Sequence, residues 1–137
     1  MMNFFYRLLF SFLHIGFLTS MMTFSSLSYA QSVQQLGKEC YEVSFFGGGA
    51  SSCTRLGVMY FEGEGVRQGK FKAAELYQKG CDGAEAVSCY NLGSMYFHGI
   101  GVRQDSSRTL NLFGKACDLK DEEGCKGYAA LKNRGIK

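Results

Sequence analysis

The 137-residue chain has no proline, so nothing in it interrupts helices joined by short glycine turns. Histidine is scarce as well. There are two, His14 and His98, and the first lies in an N-terminal stretch that reads as a removable leader. No two cysteines fall within four residues of each other, the spacing that zinc sites favour, so no metal and no cofactor is expected. Charge of one sign is lacking too. Fifteen Lys and Arg are interspersed with twelve Asp and Glu, a mixed solvated surface rather than a nucleic-acid or anionic-membrane face. The glycine pairs Gly63-Glu-Gly65 and Gly99-Ile-Gly101 lack a following Gly-Lys-Ser/Thr and a feeding strand, which excludes a phosphate loop.

What is present begins with a leader pattern over residues 1–30. Arg7 supplies a positive charge, Leu8 to Phe24 is largely apolar, and Ser28-Tyr-Ala30 places small residues at −3 and −1 of a cleavage site. A transmembrane helix is the rival reading of this run. The cleavage site and the absence of a basic stop-transfer cluster favour a signal peptide, leaving a mature chain from Gln31 with no stable membrane anchor. No cysteine at the junction offers a lipid attachment. Without Arg7, fourteen basic residues face twelve acidic ones, a charge of about +2. Secreted or periplasmic localisation follows.

The strongest pattern is an internal repeat. Residues 53–68 align without a gap on residues 89–104, an offset of 36, and differ only at Thr54, Arg55, Val58, Glu62 and Glu64 and their counterparts. Leu76, Lys79 and Cys81 recur as Leu112, Lys115 and Cys117, and a further copy begins at Cys125. Self-similarity at this period indicates stacked supersecondary units. The expected layout is a truncated leading helix and glycine-rich turn over 31–52, repeats over 53–88 and 89–124, and a capping helix over 125–137.

Each unit reads as two helices, so the fold is all-α. Cys53, Leu56, Gly57 and Tyr60 fall at i, i+3, i+4 and i+7, one helical face, and Cys89, Leu92, Gly93 and Tyr96 repeat it. Glycine inside a helix costs about 1 kcal/mol relative to alanine. Its recurrence at 57 and 93 predicts close approach of a partner helix. Gly63 and Gly99 are expected C-terminal stops, and Val66 and Val102 plugs between helices. The second helices are expected over about Lys70–Cys81 and Ser106–Cys117, with Ser106 or Ser107 as N-cap.

All six cysteines lie after the leader, an even count that suits a disulfide framework in an exported chain. Cys81 and Cys89, like Cys117 and Cys125, have seven residues between them across a short turn between helices, and these pair. Cys40 and Cys53 remain as the third pair, with an insertion containing Gly47-Gly-Gly49 between them.

The pattern Cys-x-x-Leu-Gly-x-Met-Tyr, Gly-x-Gly-Val and Lys115-Ala-Cys-Asp-Leu-Lys-Asp-Glu-Glu-Gly-Cys125 resembles Sel-one-like repeats, relatives of the tetratricopeptide repeat, and within them the Helicobacter cysteine-rich protein family. The resemblance covers about Cys40 to Lys137. It implies an α/α superhelix, a tetratricopeptide-like solenoid of antiparallel helix pairs with a concave face. It also implies two functions: adaptors that bind proteins or peptides, and penicillin-binding proteins with weak β-lactamase activity.

For the binding function, the residues one, two, five and six after each cysteine fall off the stripe just described. These are Thr54, Arg55, Val58 and Met59, then Tyr90, Asn91, Ser94 and Met95. Arg55, Met59, Tyr90, Asn91 and Ser94 are the concave-face candidates, for a peptide, a protein, a cell-wall fragment or a β-lactam. The enzymatic function finds no motif: no serine has lysine three positions later, and one histidine cannot build a metal hydrolase. Catalytic residues are therefore unassigned. His98 stands where the first repeat has Glu62 and reads as solvent-facing. The short leading repeat is expected to leave apolar surface between Val33 and Phe46, with Phe45 and Phe46 as candidates for that contact or for core.

Overall fold

The computed structural model describes residues 28–41 and 49–137. The leader expectation over 1–30 and the assignments of Phe45, Phe46 and most of the glycine insertion therefore lie largely outside the described residues. The chain divides into two compact units, Met1–Ser32 and Val33–Lys137. The second carries the repeats and is all helix among its described residues. Helix α1 covers 28–41. It is followed by α2 (Ala50–Glu62), α3 (Lys70–Asp82), α4 (Ala86–His98), α5 (Ser106–Asp118) and α6 (Glu122–Asn133). Each helix from α2 onward packs on its chain neighbour, and α4 also touches α6, the arrangement of a helix-pair solenoid. No described helix is long and apolar enough to cross a membrane.

The repeat period translates into repeated backbone geometry. Helices α2 and α4 end on Gly63 and Gly99, whose φ angles of 82° and 68° are left-handed. Each glycine N–H reaches back to the carbonyl of Met59 or Met95. Gln68 and Gln104, identical in the two copies, then cap the last turns by donating to the carbonyls of Phe61 (3.0 Å) and Phe97 (2.7 Å). Helix α5 is capped by Asp105 rather than by a serine. The Asp105 carboxylate accepts the Arg108 N–H at 2.9 Å, so the N-cap expected at Ser106 or Ser107 sits one or two residues upstream. Asp121 caps α6 in the same way through the Gly124 N–H at 2.7 Å, with Glu122 and Glu123 complementing the first turn.

Glycine within the first helices marks close approach. A Cβ on Gly57 would stand 2.8 Å from the Tyr77 ring, and one on Gly93 would stand 2.7 Å from the Phe113 ring. One aromatic ring of each second helix thus packs directly against the glycine of its own first helix. Disulfides Cys40–Cys53, Cys81–Cys89 and Cys117–Cys125 tie each second helix to the next first helix, with Cα–Cα distances of 4.7, 4.6 and 4.4 Å. The first two are fully buried, and the third is half-buried. In the chain-entropy picture each eight-residue link contributes about 2.5 kcal/mol. The core runs along the stack. It passes from Leu36, Leu56 and Leu76, through Tyr77, Leu92 and Met95, to Leu110, Phe113 and Leu131.

Candidate functional site

Helices α2, α4 and α6 are the first helices of successive units, and their repeat-equivalent residues lie 36 positions apart. Between α4 and α6 the surface opens into a cleft of about 270 Å³. One wall carries Tyr90, Ser94, Phe97 and His98, three of them spaced four residues apart along α4. The other carries Glu123, Lys126, Gly127, Ala130 and Leu131 of α6, with Arg134 just beyond its end. Phe113 of α5 forms the floor.

Local chemistry explains why the floor is there. Phe113 is clamped between two backbones: a Cβ on Gly127 would approach its ring to 2.6 Å, as one on Gly93 would to 2.7 Å. Tyr90 stacks on it with centroids 5.5 Å apart and planes 22° apart. Phe97 meets the His98 ring edge-on at 4.8 Å. The apolar part of the cleft is therefore pre-formed by packing and needs no rearrangement to accept a side chain.

Its charges are unequal in availability. The Lys126 ammonium lies 2.9 Å from carboxylate oxygens of both Glu122 and Glu123. Hydrogen bonds to Glu123 and then Glu122 push its pKa above the ordinary lysine value, so it stays protonated. An ammonium held by two carboxylates is not a general base for the Ser94 hydroxyl. Arg134 is exposed and forms no ion pair with the described residues.

The candidates from the sequence separate. Tyr90 and Ser94 line the cleft together. Asn91 does not: its side chain is hydrogen-bonded to the Tyr77 hydroxyl, whose pKa burial and the Glu62 charge push up to about 12. Arg55 is exposed, and its charge helps lower the Glu39 carboxyl behind hydrogen bonds from Ser52 and Gln35. Met59 packs instead against the core cluster of Leu36, Leu56 and Leu76. Thr54 and Met95, expected off the buried stripe, are buried at 9% and 2% exposure, Thr54 within 2.6 Å of the Ser88 hydroxyl. Only Val58 of that set is openly exposed besides Arg55.

Counting one, two, five and six residues from Cys125 gives Lys126, Gly127, Ala130 and Leu131, and all four line the cleft. Phe97, Phe113, Glu123 and Arg134 carry no such signal. They join the site through the α4–α5–α6 packing.

A disulfide-stapled stack of helix pairs with a cleft between successive first helices defines the class of Sel-one-like repeat proteins. The Sel1 repeat family model matches residues 50–84 and 86–121, and the chain belongs to that family. Among solved structures it is similar to Helicobacter pylori cysteine rich protein B, at 32% identity and a TM-score of 0.63, covering 69% of this chain and 67% of that one. It is similar as well to a protective antigen of uropathogenic Escherichia coli with the same repeat fold, at 28% identity and a TM-score of 0.61 over 63% of this chain and 18% of that one. A Sel1 repeat protein from Oxalobacter formigenes shares the fold at 21% identity and a TM-score of 0.61, over 64% of this chain and 37% of that one. A search of the curated proteins returns no match.

Proposed function

We propose that this chain is an extracytoplasmic binding scaffold that takes a peptide segment, free or within a protein, in the cleft between α4 and α6. The observation that carries the reading is the cleft floor: Phe113 is held at opposite ring edges by Gly93 and Gly127 and stacked by Tyr90, with Ala130 and Leu131 beside it and charge at the rim. Such a site offers one apolar anchor and several polar contacts, the chemistry of a side chain on an extended backbone. Six cysteines joined in three disulfides suit an oxidising compartment. Binding without turnover is favoured over β-lactam hydrolysis, because Ser94 has no hydrogen-bonded base among the described residues and Lys126 is held as an ammonium.

The test is selection of a randomised peptide library on the disulfide-intact protein, followed by binding to Ala130→Arg. Ala130 is exposed on the cleft wall, so arginine there fills the cleft without entering the core. Selected peptides should lose binding to this variant while its melting temperature is unchanged. Equal binding to both proteins would place the ligand elsewhere. Turnover of a chromogenic cephalosporin by the purified protein would refute the non-enzymatic reading.

A further inference from the structure

We infer that the peptide this cleft selects is acidic, with an apolar side chain on Phe113 and a carboxylate beyond it paired to Arg134. The inference deepens the binding reading above and rests on it. Two independent observations converge on it. The first is local: of the two cations in the cleft, Lys126 is already neutralised by Glu122 and Glu123, whereas Arg134 has no carboxylate among the described residues. A guanidinium presents a planar fork that matches a carboxylate with two parallel hydrogen bonds, so the unmatched group specifies its partner.

The second observation is the charge series along the stack. Glu62, His98 and Arg134 are repeat-equivalent, each 36 residues from the last, at the C-terminal ends of α2, α4 and α6. The same edge of the first-helix face therefore runs from anion through imidazole to cation. A carboxylate is repelled at the α2 end and drawn to the α6 end, which fixes the direction of an extended ligand. The apolar positions grade the opposite way. Val58 and Val87 are exposed at 39% and 46%, and their counterparts one repeat on are Ser94 and Glu123. Glu123 is paired with Lys126, so this row turns polar over α6 without an unpaired anion, and a ligand apolar over α2 and α4 with its carboxylate at Arg134 fits both series.

The experiment uses a randomised decapeptide library selected on the full, disulfide-intact protein, with the best peptide carried into fluorescence anisotropy. The expected result is enrichment of Asp or Glu, or of a free C-terminal carboxylate, downstream of an aromatic or aliphatic residue. Replacing that acid by its amide should weaken binding roughly tenfold or more, the usual worth of a charged hydrogen bond. Arg134→Gln should lose the same factor and make the acid-to-amide change silent. Arg134→Glu should turn the selected preference to lysine or arginine. Lys132→Gln is the control for net charge: it is an exposed cation of α6 outside the cleft, and binding should not change. Peptides that bind in an Ala130-dependent manner, with no acidic enrichment and no response to Arg134→Glu, would overturn this inference and leave the binding site standing. Failure to select any peptide would overturn both.

Discussion

Replacing Gly93 by alanine sets two effects of opposite sign against each other, and the structure says which is larger. Alanine in a helix interior gains about 1 kcal/mol over glycine. Against this, the new methyl would stand 2.7 Å from Phe113 Cδ1 and 2.8 Å from Cε1, inside any real carbon contact. An exposed ring could swing away at little cost. Phe113 cannot, because its opposite edge lies against Gly127 at a similar distance, so relief requires α4 or α6 to move. Overpacking of a closed core costs about 1–3 kcal/mol beyond what the side chain gains. The net effect expected for Gly93→Ala is a loss of about 1–3 kcal/mol, or roughly 4–24 °C in melting temperature for a domain of this size. Gly37→Ala is the matched comparison. Gly37 is interior to α1, and its Cβ would meet only Leu56 Cδ2, at 4.0 Å, so the propensity gain survives and the protein should be stabilised. Thermal unfolding of the two variants by circular dichroism with disulfides intact is sufficient. A Gly93→Ala protein as stable as the parent, or two shifts of the same sign, would refute the claim that this glycine exists for packing. A double-mutant cycle with Phe113→Leu should remove most of the penalty.

Three further outcomes follow from the same geometry. Gly101→Ala should cost about 3 kcal/mol and Gly99→Ala only about 1 kcal/mol, read from urea midpoints: both have left-handed φ angles, near 69° and 68°, but only the Cβ at 101 would strike the Lys70 backbone, at 2.6 Å; equal losses would refute the contact. Replacing Cys81 and Cys89 together by alanine should cost about 2.5 kcal/mol or more in urea unfolding, and no loss would mean the staple is idle. Tyr77 is raised to about 12 in the folded chain against 10.0 unfolded, so its contribution is complete below pH 10 and is lost as pH rises toward 12. By pH 11 this amounts to roughly 1 kcal/mol, and Tyr77→Phe should remove that part of the alkaline decline; parallel pH profiles would refute it.

Much of the architecture was legible because the chain states it twice. The offset of 36 residues gave the helix pairs, and glycine at 57 and 93 in otherwise good helices gave the close approach. The errors share one physical origin. A stripe at i, i+3, i+4 and i+7 describes a helix buried on one side, but α4 packs against α3, α5 and α6 at once. Its buried surface is therefore wider than the stripe and takes in Met95, just as α2 takes in Thr54 and part of Met59. Asn91 was expected on the open face, but its partner Tyr77 comes from another helix, and no local pattern reports that contact. The cleft itself escaped because its second wall belongs to the shortened third copy, where the repeat identity has faded to Cys125 and little else.

That fading is informative, because the differences between copies come in compensating pairs. At the first junction Gly80 leaves room for Ser88, whose hydroxyl fills the space that a Cβ on residue 80 would need. At the second junction Ala116 stands in place of Gly80 and Gly124 in place of Ser88, so the methyl has changed sides and the gap is the same. The other pair behaves differently. Tyr77 with Asn91 becomes Phe113 with Gly127, so a hydroxyl and the amide that satisfied it disappear together. Polar balance is kept, since no unpaired donor is left buried. The side chain itself is not replaced: the amide that meets the Tyr77 hydroxyl has no counterpart at Gly127, and Gly127 and Phe113 both line the cleft. Tyr77→Phe combined with Asn91→Gly should therefore create a second aromatic-floored cleft between α2 and α4. Tyr77→Phe alone should only strand the Asn91 amide and destabilise the fold. A crystal structure of the double variant in which the α2–α4 interface has closed over the substituted ring would refute this account, because the loss of the amide would then not be what opens a site.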